Sequence, residues 1–213
     1  MGGARSCRDA GDEGGLSLER IVFFSDAVIA IAITLLAIEI RLPDLGHEAS
    51  GAALLEALRA LWPRYLSFVI SFLVIGSYWW VHHRAFRAVR RYDEALIWLN
   101  LAFLLCVVFL PFASSVLGEH GNDPVAATFY ALCVAATGLV ETALWAYASR
   151  GHRLLDAAVP SRAIRLASLR AATPPGIFLL SIPLIWLNPH VAMLSWLATF
   201  AITAALRQRE LGS

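Results

Sequence analysis

Leu18-Glu19-Arg20-Ile21-Val22-Phe23-Phe24-Ser25-Asp26-Ala27-Val28-Ile29-Ala30-Ile31-Ala32-Ile33-Thr34-Leu35-Leu36-Ala37-Ile38-Glu39-Ile40-Arg41-Leu42 contains neither glycine nor proline. A helix needs roughly 20 apolar residues, at about 1.5 Å each, to cross the hydrocarbon of a bilayer. This stretch is long enough and apolar enough to do so. Asp26 is its anomaly. An aspartate within a span carries an insertion cost of a few kcal/mol, so it must face protein or water and find a partner.

The same criterion predicts helix 1 at 18–42, helix 2 at 62–84, helix 3 at 94–117 and helix 4 at 125–148. Helix 5 is expected near 166–187 and helix 6 at 190–207. Pro174-Pro175 is expected to interrupt helix 5 and to detach its first turn, and Asn188-Pro189 to form a tight hairpin. Residues 51–61 read as a short amphipathic helix on the outer surface. The composition agrees with a membrane protein. The chain is 59% hydrophobic and 15% charged, with a mean hydropathy of +0.66, whereas soluble domains carry roughly a quarter charged residues. The fold class is therefore an all-α integral membrane protein with six transmembrane helices. Residues 1–17 are expected to form a disordered cytoplasmic tail, 18–207 the six-helix transmembrane domain, and 208–213 a second cytoplasmic tail.

All 17 basic residues are arginine, which suggests a GC-rich bacterial genome. Nine of them, Arg84, Arg87, Arg90, Arg91, Arg150, Arg153, Arg162, Arg165 and Arg170, lie in two connections, 84–94 and 149–170. Arg5, Arg8, Arg20, Arg207 and Arg209 flank the first and last spans. By the positive-inside rule these connections and both termini are cytoplasmic, in a plasma membrane. Trp62, Trp79, Trp80, Trp98, Trp145 and Trp186 cluster towards helix ends, as interfacial anchors do. No basic patch suggests nucleic acid. Cys7, Cys106 and Cys133 lack metal spacing, and the last two read as small core residues. No hydrolase, phosphate-loop or metalloprotease motif is present, so no enzyme and no cofactor are expected. His82-His83 diverge by roughly 100° on a helix and suggest no metal site. Glu141 reads as a buried, hydrogen-bonded acid or one snorkelling along an interface, rather than a proton relay.

Arg20-x-x-x-Phe24-Ser25-Asp26 matches the signature of bacterial channels similar to the lysosomal potassium channel called transmembrane protein 175. The resemblance continues through Tyr78-Trp79-Trp80-Val81-His82-His83-Arg84-Ala85-Phe86, Arg91-Tyr92-Asp93 and Leu99-Asn100-Leu101 to Leu110-Pro111-Phe112. It implies a homotetramer in which four copies of helix 1 surround one pore for potassium and other monovalent cations. It also implies an apolar constriction at Ile31, with Leu35 and Ile38 further out and Thr34 as the nearby hydroxyl. There is no Thr-Val-Gly-Tyr-Gly filter. Helical geometry offers a separate check: Ile31, Leu35, Ile38 and Leu42 fall within a stripe of roughly 60°, and Asp26 points about 140° away. Arg20, Ser25 and Asp26 then read as structural anchors, with Arg20, His82, His83 and Asn100 as candidate partners for the carboxylate. A secondary ion or solute transporter and a non-conducting scaffold are the alternatives to a channel.

Overall fold

The computed structural model describes residues 6–46 and 50–196, with side chains from Leu18 onward. Among them every regular element is helical. These are α1 (Ser6–Ile38), α2 (Gly51–Ala60), α3 (Trp62–Ala88), α4 (Glu94–His120), α5 (Pro124–Ser149), α6 (Ser161–Leu180) and α7 (Ile182–Leu187). Among the described residues five stretches are long and apolar enough to span a membrane: Leu18–Ile38, Trp62–Ala88, Glu94–His120, Pro124–His152 and Ser161–Leu187. Of the expected helix 6, residues 190–196 are helical, and the remainder, with Arg207, Arg209 and the tail 208–213, lies outside the described residues.

Local chemistry sets most helix ends. Asp93 and Asp123 cap α4 and α5 by accepting from the amides of Leu96 and Val125, at 2.9 and 2.8 Å. Ser50 caps α2 through the Ala53 amide. Such caps satisfy amides that have no partner inside the helix. Pro63, Pro124 and Pro183 stand in the first turns of α3, α5 and α7, where a missing N–H costs nothing. Helix α1 starts at Ser6 rather than at Leu18. It ends at Ile38, four residues before the expected Leu42 and just ahead of Pro43.

The expected interruption at Pro174-Pro175 does not occur: α6 runs unbroken through both prolines to Leu180. Pro175 faces a glycine on α5. Gly138 has no side chain, and a Cβ there would sit 2.6 Å from both Pro175 Cδ and Tyr78 Oη. The pyrrolidine ring packs into that space, and the Tyr78 hydroxyl crosses beside it to donate to the Val134 carbonyl at 2.8 Å. Three helices thus meet at one glycine. The break falls instead at Ser181, where Asn188 then caps the last helical stretch by accepting from the amides of His190 and Val191. That stretch folds back. Trp196 stacks on Phe178, with ring centroids 4.9 Å apart, and donates to the Ser181 hydroxyl at 2.9 Å.

The main core lies among α3, α4 and α5, with Tyr78, Phe103, Tyr130 and Leu117 buried in it. Helix α1 lies against α3 and α4 through Ile29, Ala32 and Leu36. Gly138→Ala should destabilise the protein by about 1–3 kcal/mol, the usual cost of forcing a methyl into a filled site. Gly76, with nothing within 4 Å, is the control: Gly76→Ala should be neutral or slightly stabilising. Thermal unfolding of the two variants in detergent checks the contrast.

Candidate functional site

Helix α1 carries two seams with the same spacing and opposite fates. Ser25, Ile29, Ala32 and Leu36 are buried. Ile31, Leu35 and Ile38 remain 59%, 37% and 60% exposed, and Leu42 beyond the helix end is exposed too. Steps of four, three and four residues keep each set on one face, and the two faces point about 120° apart. Thr34 is exposed at the edge of the second seam, where its hydroxyl donates to the Ile31 carbonyl at 2.8 Å. The proton of that hydroxyl is engaged inside the helix while its lone pairs point outward.

Polar bonds hold this rotation of α1 in place. Ser25 donates to the Ile21 carbonyl at 2.9 Å and accepts from Asn100 Nδ2 at 3.0 Å, which ties α1 to α4. Asp26 Oδ1 accepts from Trp79 Nε1 at 2.8 Å, which ties α1 to α3. The residues expected to serve Asp26 are placed elsewhere. Asn100 bonds Ser25 instead, because consecutive residues diverge by about 100° and Ser25, not Asp26, is turned towards α4. His82 lies one turn beyond Trp79 and faces α5, where its Nδ1 is 3.1 Å from Glu141 Oε2. His83 sits by the Trp79 ring, centroids 5.7 Å apart. Arg20 and Phe24 are exposed on the single chain.

The His82–Glu141 pair is wholly buried, and the imidazole stacks on Phe103 with ring centroids 4.7 Å apart. Glu141 is therefore the buried, bonded acid its position in a span suggested. A further polar layer escaped sequence reasoning. Ser67 donates to the Ser114 carbonyl at 2.6 Å, Ser71 to the Ser114 hydroxyl at 2.8 Å, and Ser71 lies 3.0 Å from Tyr130 Oη. The i, i+4 spacing of Ser67 and Ser71 on one helix face was the available signal. At the opposite end from the basic connections, Arg64 donates to the Arg41 carbonyl at 3.0 Å and to Glu119 at 3.2 Å.

A bundle of apolar spans joined internally by buried polar bonds, with apolar stripes left exposed on α1 and on other spans such as α4, is a polytopic membrane protein. A family profile described as endosomal/lysosomal potassium channel TMEM175 matches residues 20–111. A potassium channel of Streptomyces collinus is 41% identical over 72% of this chain and 75% of its own length. A potassium channel of Chamaesiphon minutus is 36% identical over 88% of this chain and 93% of its own. The crystal structure of a lysosomal potassium-selective channel TMEM175 homolog from Chamaesiphon minutus superposes with a TM-score of 0.75 at 31% identity. It covers 91% of this chain and 97% of that one. The chain belongs to the TMEM175 family, a family of ion channels and not of enzymes.

The bond between Ser25 and Asn100 can be measured alone. Ser25→Ala and Asn100→Ala should each destabilise by about 1–3 kcal/mol by orphaning a buried partner. The double variant should cost less than their sum, with a coupling of about 0.5–3 kcal/mol. Chemical unfolding of the four proteins reads this directly, and strict additivity would show that the two side chains do not interact.

Proposed function

We propose that four copies of this chain assemble around α1 as a potassium-permeable cation channel of the plasma membrane, with both termini cytoplasmic. The uncovered stripe of Ile31, Leu35 and Ile38, opposite a seam that is fully buried, is the observation that carries this reading. Four such stripes facing one axis form an apolar ring. Such a ring resists entry of a hydrated ion until it widens and wets, which is a gate built from dewetting. Potassium and other monovalent cations are the permeant species, as the names of the relatives suggest. Ser25 and Asp26, held by Asn100 and Trp79, act as the scaffold that fixes the rotation of α1, and neither they nor Arg20, Phe24, His82 and His83 line the path. The chain has no Thr-Val-Gly-Tyr-Gly segment, so selectivity comes from the α1 rings, Thr34 among them.

Flux from proteoliposomes under opposed potassium and sodium gradients is the primary test. Channel-sized currents support the reading; slow saturating uptake would assign a secondary transporter, and no flux above background a scaffold. Ile31→Asn should raise current and loosen selectivity, because an amide ring wets where an isoleucine ring does not. Unchanged conductance in folded Ile31→Asn protein would remove Ile31 from the path. Thr34→Val keeps the shape and deletes the lone pairs. With potassium inside and sodium outside, its reversal potential should move towards zero. An identical reversal potential with intact current would make Thr34 a packing residue.

A further inference from the structure

The two basic connections are one folded surface. Val89 and Leu155 pair as an antiparallel bridge. The amides of Arg90 and Arg91 donate to the Leu154 carbonyl at 2.9 and 3.3 Å, and the Asp156 amide donates to the Ala88 carbonyl at 3.4 Å. Gly151, at φ +60, turns the chain out of α5, and the Leu154 amide reaches back to the Ala148 carbonyl. Underneath, Leu154 and Leu155 are buried with Phe86, Leu96, Leu144 and Trp145 in a core separate from the main one. The ends of α3 and α5 and the starts of α4 and α6 thus share one rigid platform.

Both aspartates of the platform are already engaged. Asp93 accepts from Tyr147 Oη at 2.6 Å and lies 3.4 Å from Arg153. Asp156 accepts from the Ala158 amide at 3.0 Å and lies 3.4 Å from Arg90. Each carboxyl is held below its usual range, Asp93 chiefly by the Tyr147 hydroxyl and Asp156 chiefly by the Ala158 amide. Glu94, beside them, accepts from Trp98 Nε1 at 3.3 Å. Arg87, Arg91, Arg150, Arg162 and Arg165 stand exposed around these engaged acids, as a surplus of guanidinium that neither aspartate of the platform neutralises.

We propose that this platform binds the phosphate-bearing headgroups of anionic phospholipids in the adjacent leaflet. Its position selects a lipid over a soluble polyanion. The arginines stand at span ends, and Trp98, 64% exposed one turn into α4, marks the level at which indoles meet headgroups. Guanidinium matches phosphate with paired, planar donors, and basic residues beside a bilayer attract anionic lipid cumulatively. A platform held by backbone bonds presents those donors already ordered. The inference rests on membrane embedding alone and is independent of which ion the pore conducts.

The test is native mass spectrometry of the full chain in neutral detergent, titrated with phosphatidylglycerol or phosphatidylcholine. Phosphatidylglycerol adducts should persist at about tenfold lower lipid concentration than phosphatidylcholine adducts. The triple variant Arg87→Gln/Arg91→Gln/Arg162→Gln should lose most of that preference, and the matching lysine triple should retain part of it. Raising salt from about 0.1 to 0.5 M should erase the preference in the unaltered protein, because exposed charges are screened within a shorter Debye length. This arm needs no variant to fold. Equal retention of the two lipids, or a preference indifferent to salt, overturns the proposal. Displacement of phosphatidylglycerol by an acidic peptide at lower concentration also overturns it, and assigns the platform to a protein partner.

Discussion

Hydrocarbon offers no hydrogen bonds, so every polar side chain carried into a span must find its partner on another helix or in its own. Most of what is specific about this bundle follows from that requirement. Ser25 reaches Asn100, Asp26 reaches Trp79, and His82 reaches Glu141. The serines of α3 reach Ser114 and Tyr130. Apolar packing by itself tolerates rotation of one helix against another, since lipid covers an isoleucine as well as a neighbouring helix does. The polar pairs do not. Turning α1 by one residue, about 100°, would strand a serine and an aspartate together. The exposed stripe of Ile31, Leu35 and Ile38 is where it is because Ser25 and Asp26 are bonded where they are.

The five described spans were legible because length and hydropathy alone decide them, whereas most of the expected helix 6 lies outside the described residues. The exposed and buried seams of α1 were legible for a similar reason, since a straight helix without glycine or proline keeps its phase over five turns. Partners across helices were not legible. Asp26 offered itself to Arg20, His82, His83 or Asn100 on grounds of charge and proximity in the motif. The choice of Trp79 depends on the azimuth of α3, which no local pattern encodes. Glu141 announced that it needed a donor but not that His82 would supply it.

The prolines of α6 show the same limit from another side. Read locally, Pro174-Pro175 ends a helix. In the folded chain the Pro175 ring instead packs against a residue 37 positions earlier, Gly138, which leaves room for it. Neither residue carries that information alone, and hydropathy is silent about it. The small polar layer of Ser67, Ser71 and Ser114 was hidden for the opposite reason: single serines are common in spans and become significant only when two helices bring them together.

The Val89–Leu155 bridge closes a stretch of chain that contains two complete crossings, α4 and α5. Its two halves emerge on the same side of the bilayer only when both crossings have been made. A chain in which one crossing fails leaves Val89 and Leu155 on opposite leaflets, with Leu154 and the apolar side of Phe86 uncovered. The bridge can therefore form only after both crossings have been made. Loop-closure entropy rises only slowly with the length enclosed, so a latch this distant in sequence costs little more than a near one, and it reports on far more of the chain.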